Sequence, residues 1–449
     1  MSVTTGLRTP LRVAATSPWW AAPAALTLAI AAVLLAAPYP PLQDFSEWAY
    51  QGALLARLLG GLPVTEVSLV THPVPNSLAQ ALLGVLAMLL PATLAAYTFL
   101  LALLGSGLAL SLALGRRHRP ASAGAFAVLL LVAFIGNTPF WNGYVNYQLA
   151  LLLFGAWFLL PPARREDAGP ILAFGLLIFL AHAAVFAAFC VLVAVRALAK
   201  RRLRGAALGL APVGVLGVWY VLVGTAEPAE PAAGLDSLGA FLAYKAYTLS
   251  KLGPYHNFVF VEGGDEALRP ALYWAGTAVN LLFVAGLFGA LGFGLRRAWR
   301  RRSLDQAPLL AAALLVGLFL VLPRVAQHVI NPGERLLIPA VLMLLLAVPL
   351  PGRAVRPLAA LGGLALAANI AGFALPHGDW SVPVHFRTME AMGGARALYR
   401  HRPTSFACKW AELERSVVTG EAPRLPISFR TSLLTTTAPP FDCPMPPAR

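Results

Sequence analysis

Long apolar runs, separated by short clusters of arginine and lysine, set the rhythm of this chain. The runs lie at about Trp19 to Ala37, Thr93 to Leu114, Ala121 to Gly136 and Tyr147 to Leu160. Pro170 to Arg196 is long enough for two short segments with a tip near His182. Further runs follow at Leu208 to Gly224, Leu272 to Leu295, Pro308 to Leu322, Arg335 to Val348 and Pro357 to Leu375. Runs of this length and apolarity are expected to be membrane-crossing helices, since a bilayer core needs roughly 20 apolar residues per crossing. The basic clusters are "LRTPLR", "GRRHR", "ARR", "KRRLR", "RRAWRRR" and "GRAVR". Placed together on the cytoplasmic side, they make the chain cross out and back between each consecutive pair. The expectation is an all-α polytopic membrane protein with about eleven transmembrane helices and a cytoplasmic N-terminus.

Leu78 to Leu90 breaks the pattern. It is apolar but short, and Pro91 ends it, so it reads as an interfacial helix rather than a crossing. The first large outer loop is then 38–92, and the second is 226–270. The transmembrane module is 1–375, leaving a small outer tail, 376–449.

Composition agrees: 58% of the 449 residues are hydrophobic and only 12% are charged, outside the soluble globular range. The net charge of +15 invites a nucleic-acid reading. The cations instead flank apolar runs, where they orient helices, so no nucleic-acid partner is expected. The N-terminal run is longer than a signal-peptide core and reads as an uncleaved anchor. Of the three cysteines, Cys190 lies inside an apolar run and is a packing residue. Cys408 and Cys443 lie in the polar tail. They form a disulfide if the tail faces an oxidising compartment, with two free thiols as the alternative.

Acids are scarce, which makes "YPPLQDFSEWAYQGALLARLLGG" stand out just after the first apolar run. A helix beginning at Asp44 would be capped by that side chain. It would carry Asp44, Glu47 and Gln51 along one stripe, with Phe45, Trp48, Ala49, Gly52 and Leu59 broadly opposite. That is an amphipathic helix in the membrane surface, either a catalytic platform or an interfacial anchor with a solvated acidic face. Downstream, "VTHPVPNSL" holds His72 on a stiff extended segment. "LAHAAVFAAF" puts His182 at the tip of two short helices, a concave entrance for a lipid-linked substrate. "NPGERLLIP" opens a helix with Glu334 and Arg335 at its outer end. The planar donor fork of Arg335 suits a phosphate there, or the arginine simply snorkels to the headgroups.

In order and spacing, over about Trp19 to Leu375, these stretches resemble the GT-C superfamily of integral-membrane glycosyltransferases. That group includes protein O-mannosyltransferases and aminoarabinose transferases. The resemblance rests on "DFSEWAYQGALLARLLGG", "HPVPNSL", "LAHAA" and "ERLLIP". It implies transfer of a sugar from a polyprenyl-phosphate donor to a hydroxyl of a glycan, lipid or protein acceptor. The transfer would occur at the outer face of the plasma membrane, with inversion. Asp44 would be the catalytic base and Arg335 would steady the leaving phosphate. Glu47 would orient the acceptor or Asp44, and His72 would contact either substrate. The second short outer loop, "NTPFWNGYVN", carries no acid, so no metal or other cofactor is expected. A transporter or flippase of a lipid-linked or small polar substrate is the rival, and an envelope scaffold a third reading. Carriers usually place charge within the spans, and here the acids crowd the outer loops.

Overall fold

The computed structural model describes residues 18–37, 39–62, 64, 66–224, 237–255, 268–300, 305–323, 325–326, 329–330, 332–374, 407–428 and 432–436. Helices dominate. In chain order they are α1 (Ala22–Ala36), α2 (Phe45–Leu59), α3 (Leu78–Leu89), α4 (Ala92–His118), α5 (Ala123–Phe134) and α6 (Val145–Trp157). After them come α7 (Ala168–Ala181), α8 (Ala183–Lys200), α9 (Leu203–Gly224), α10 (Leu238–Ser250) and α11 (Leu268–Arg300). The last four are α12 (Gln306–Val321), α13 (Pro332–Ala347), α14 (Gly352–Ala374) and α15 (Ala407–Thr419). Among the described residues only two small antiparallel ribbons are extended: β1 (Val67–Leu69) with β4 (Leu434–Thr436), and β2 (Val325–Ala326) with β3 (Val329–Ile330).

A helix occupies each apolar run of the sequence. Five of them, within α4, α8, α9, α11 and α14, are long and apolar enough to cross a membrane; α1, α3, α5, α6, α7 and α12 are apolar but shorter. The chain is thus an all-α, multi-pass membrane protein. The exposed Leu208, Val215, Val218 and Leu222 along α9 are what a lipid-facing helix needs. Buried Phe126, Phe134, Phe154, Trp157 and Phe189 form the centre, where α5, α6 and α8 meet.

A cluster of arginines marks one end of this bundle. Arg196 sits 3.1 Å from Glu166 and 3.5 Å from Asp305, and Arg202 lies 3.2 Å from Glu166. Arg165 donates to the carbonyl of Phe158 at 2.7 Å, Arg117 to those of Leu159 and Leu160, and Arg119 to that of Val348. The other end is built from the starts of α6, α8 and α13. His182 and Arg196 bracket α8, which separates the two ends by about 20 Å at 1.5 Å per residue.

At that second end, α2 and α3 pack as a pair. α3 spans 12 residues, about 18 Å at the helical rise. Small residues allow the approach, since a Cβ on Gly52 would stand 2.6 Å from the Leu83 Cβ. The alternative of a solvated acidic face on α2 is overturned. Every residue from Phe45 to Leu55 is buried, Glu47 and Gln51 completely, because the chain's C-terminal segment lies over that face.

Candidate functional site

Asp44 occupies the N-cap position of α2, but its side chain makes no capping hydrogen bond, contrary to the sequence expectation. What holds Asp44 is backbone. Its N–H donates to the Asn142 carbonyl at 3.0 Å, and the Gln43 N–H donates to the Trp141 carbonyl at 3.3 Å. The segment that accepts these bonds turns at Gly143, whose φ is +75°. A Cβ there would meet the Asp44 nitrogen at 2.7 Å and the Phe45 nitrogen at 2.5 Å, so both the turn and the approach require glycine. Asn137 caps the short helical turn Thr138–Trp141 by accepting from the Phe140 N–H. Trp141 then stacks on Phe373 of α14, with ring centroids 4.3 Å apart. The acid-free loop 137–146 therefore serves as the seat of Asp44.

The next residue, Tyr144, brings in the cation. The Arg335 guanidinium lies 5.1 Å from the centroid of its ring. Nη1 of Arg335 reaches to 3.4 Å from Nε2 of His182, and the Arg335 carbonyl accepts from the Tyr147 hydroxyl at 3.0 Å. His182 packs edge-on against Tyr147, 5.0 Å between centroids, while its Nδ1 faces the Ala184 N–H at 3.2 Å. Both groups facing this imidazole are donors. A neutral ring can accept from one of them and a protonated ring from neither, so the site holds His182 neutral. Beside Arg335, Glu334 is buried and lies 3.5 Å from the Lys251 ammonium. The Lys251 carbonyl in turn accepts from the Thr138 hydroxyl at 3.3 Å.

Five separate stretches of chain thus meet: the start of α2, the loop before α6, the α7–α8 tip, the end of α10 and the start of α13. Their electrostatics interlock. Burial pushes the Asp44 carboxyl up to about 8; the Arg335 charge opposes that shift and the Glu47 charge adds to it. Burial, and then the Asp44 charge, push the Tyr144 phenol up to about 12. A half-buried carboxyl that titrates near neutrality beside a guanidinium can take a proton from a hydroxyl and hold an anion within one site.

Of the residues singled out from sequence, the structure brings together Asp44, His182, Glu334 and Arg335. Glu47 is elsewhere. Its Oε1 accepts from the Ser428 N–H at 2.8 Å and from Gln51 at 2.7 Å, and its Oε2 lies 3.5 Å from Lys409. With Oε1 hydrogen-bonded, Oε2 facing the Lys409 ammonium and the side chain fully buried, it anchors the C-terminal segment. His72 is also apart, facing Tyr220 of α9 with ring centroids 6.2 Å apart. A few residues on, Asn76 accepts from the Ala183 N–H at 3.2 Å, tying this segment to the His182 tip. Cys408 is disulfide-bonded and Cys190 is free; Cys443 lies outside the described residues. No group of three or more metal-ligating side chains occurs among the described residues. Sequence reasoning missed Tyr144 and Lys251. The Asn-Gly step at Asn142–Gly143 was the available signal for a sharp turn at Tyr144, whereas a lone lysine after an apolar stretch gives none.

No protein-family model matches the chain, and searches of curated proteins and of solved structures return no match.

Proposed function

We propose that this protein is a membrane glycosyltransferase that moves a sugar from a polyprenyl-phosphate donor to an acceptor hydroxyl at the outer face of the plasma membrane. The observation that carries the reading is that Asp44 lies by Arg335 and Tyr144, with His182 and the Glu334–Lys251 pair beside Arg335, at the end of the bundle opposite the cluster of Arg117, Arg165 and Arg196. With the arginine-rich end taken as cytoplasmic, this reading has the opposite end of the bundle, and the site with it, face outward.

In the proposed step, an Asp44 oxygen accepts the acceptor's hydroxyl proton as that oxygen bonds to the anomeric carbon from one side. The bond from that carbon to the donor phosphate oxygen breaks on the other, so configuration inverts and polyprenyl phosphate leaves as the anion. Arg335, pinned between Tyr144 and His182, meets the charge growing on the leaving phosphate. Lys251 adds positive charge from a second element, and neutral His182 adds none.

The test is incorporation of labelled sugar into membrane acceptors from a panel of polyprenyl-phosphate donors, using purified protein in proteoliposomes. Transfer from one donor, with the anomeric configuration inverted, is the expected result. No transfer from any donor, with passage of a fluorescent lipid-linked sugar across the bilayer instead, would install the carrier reading.

A further inference from the structure

The C-terminal segment makes contacts too specific for a loose tail. Lys409 and Glu47 are each fully buried and oppositely charged, 3.5 Å apart. The Lys409 ammonium also donates to the Pro426 carbonyl and lies 4.8 Å from the centroid of the Tyr50 ring. The Tyr50 hydroxyl donates to the Leu425 carbonyl at 2.6 Å, and the Ser428 N–H donates to Glu47 at 2.8 Å. From Glu47 a chain of amides runs on: Gln51 donates to it at 2.7 Å, Gln80 of α3 donates to Gln51 at 3.2 Å, and the Leu433 N–H donates to Gln80 at 2.8 Å. β4 then pairs with β1, Val67 opposite Thr436, and Trp410 packs edge-on against Tyr97 of α4, 5.4 Å between centroids. One segment therefore grips α2, α3, α4 and the strand between α2 and α3. The buried Lys409–Glu47 pair reaches the first turn of the helix that Asp44 begins.

We propose that 407–428, together with 432–436, is a clasp that fixes the Asp44-bearing helix. Lys409 is its positioning residue, acting through Glu47. A buried ion pair is a poor source of net stability, because desolvating both charges offsets their attraction. Removing only one partner is severe, because the other charge stays buried without compensation. An interaction with that asymmetry makes docking all-or-none, which suits a part that must hold a reacting carboxyl within a fraction of an ångström. The inference rests on the proposed function only in treating Asp44 as the working carboxyl, and its test needs no sugar donor.

The experiment uses the full chain in lipid nanodiscs. Hydrogen exchange reads the peptide 425–436, whose Ser428 and Leu433 amides donate to buried side chains. Carbodiimide labelling, located by mass spectrometry, reads Asp44, and exchange in α5 reports the integrity of the bundle. Lys409→Met should speed exchange of 425–436 by about a hundredfold. It should also change the Asp44 labelling rate several-fold, with α5 unchanged. Adding Glu47→Gln removes the stranded charge and keeps an acceptor for Ser428, so the double variant should return both readings toward wild type. Unchanged exchange in Lys409→Met overturns the proposal. So does faster exchange with Asp44 labelling unaltered, which would make the segment a passive cover. Failure of the double variant to recover overturns the ion pair as the catch. If Lys409→Met does not fold, the double variant decides: protection near wild type supports the clasp, and loss of protection overturns it.

Discussion

Replacing Asp44 with asparagine should make the protein more stable at alkaline pH, an effect opposite in sign to the usual loss of a salt-bridged acid. Burial raises the Asp44 carboxyl from an ordinary 3.8 to about 8, against the pull of Arg335. Between those values the folded chain keeps a proton that the unfolded chain has released. Stability is therefore greatest below about pH 4 and falls as pH rises toward about 8. Across that window the full linkage is about 5–6 kcal/mol at about 1.4 kcal/mol per pH unit. Water reaches this half-buried carboxyl, and screening reduces the figure to about 2–3 kcal/mol. Asparagine cannot ionise, so Asp44→Asn should lose this slope. The assay is thermal unfolding of wild type and variant in one detergent from pH 5 to 9.5. Wild type is expected to lose several degrees relative to the variant over that range, the two curves drawing together at the acid end. Parallel curves would refute the claim that Asp44 is held protonated by its surroundings.

Other perturbations follow from the same geometry. Arg335→Gln removes the charge that lowers the Asp44 pKa, so the rising limb of a pH–rate profile for sugar transfer should move to higher pH. The same change should lower the rate about 100-fold by taking a donor from the leaving phosphate. Tyr144→Phe keeps a ring beneath Arg335 and should transfer nearly normally, while Tyr144→Ala loses a cation–π contact worth about 1–2 kcal/mol and should raise the donor KM. Gly143→Ala places a Cβ against the Asp44 nitrogen at a φ of +75°, so it should cost about 2 kcal/mol or more in unfolding and reduce transfer even in the protein that folds.

The helices were legible because a bilayer demands long apolar runs, and runs such as Ala92–His118 and Gly352–Ala374 leave few alternatives. Pro91 told that Leu78–Leu89 stops short. Asp44 was visible as an acid standing where acids are rare. The cover over Glu47 was not legible, because helical spacing tells which residues share a stripe and says nothing of what lies over it. Here the cover is Ser428, 381 positions away, and no local pattern carries a contact over that distance. Tyr144 and Lys251 hid for a different reason. An aromatic ring and a single lysine beside a membrane surface are what any interface contains, and only their meeting with Arg335 and Glu334 sets them apart. Arg335 itself could be read as a snorkelling side chain until His182 and Tyr144 were seen to hold it.

The most direct measurement is sugar transfer by wild type and Asp44→Asn side by side near pH 8, in proteoliposomes containing equal amounts of folded protein. Asparagine keeps the shape of the side chain and its backbone seat on Asn142, and removes only the proton acceptor. The account predicts that transfer falls by about 100-fold or more, the contribution of a general base, while donor binding persists. Transfer at the wild-type rate by Asp44→Asn would contradict it.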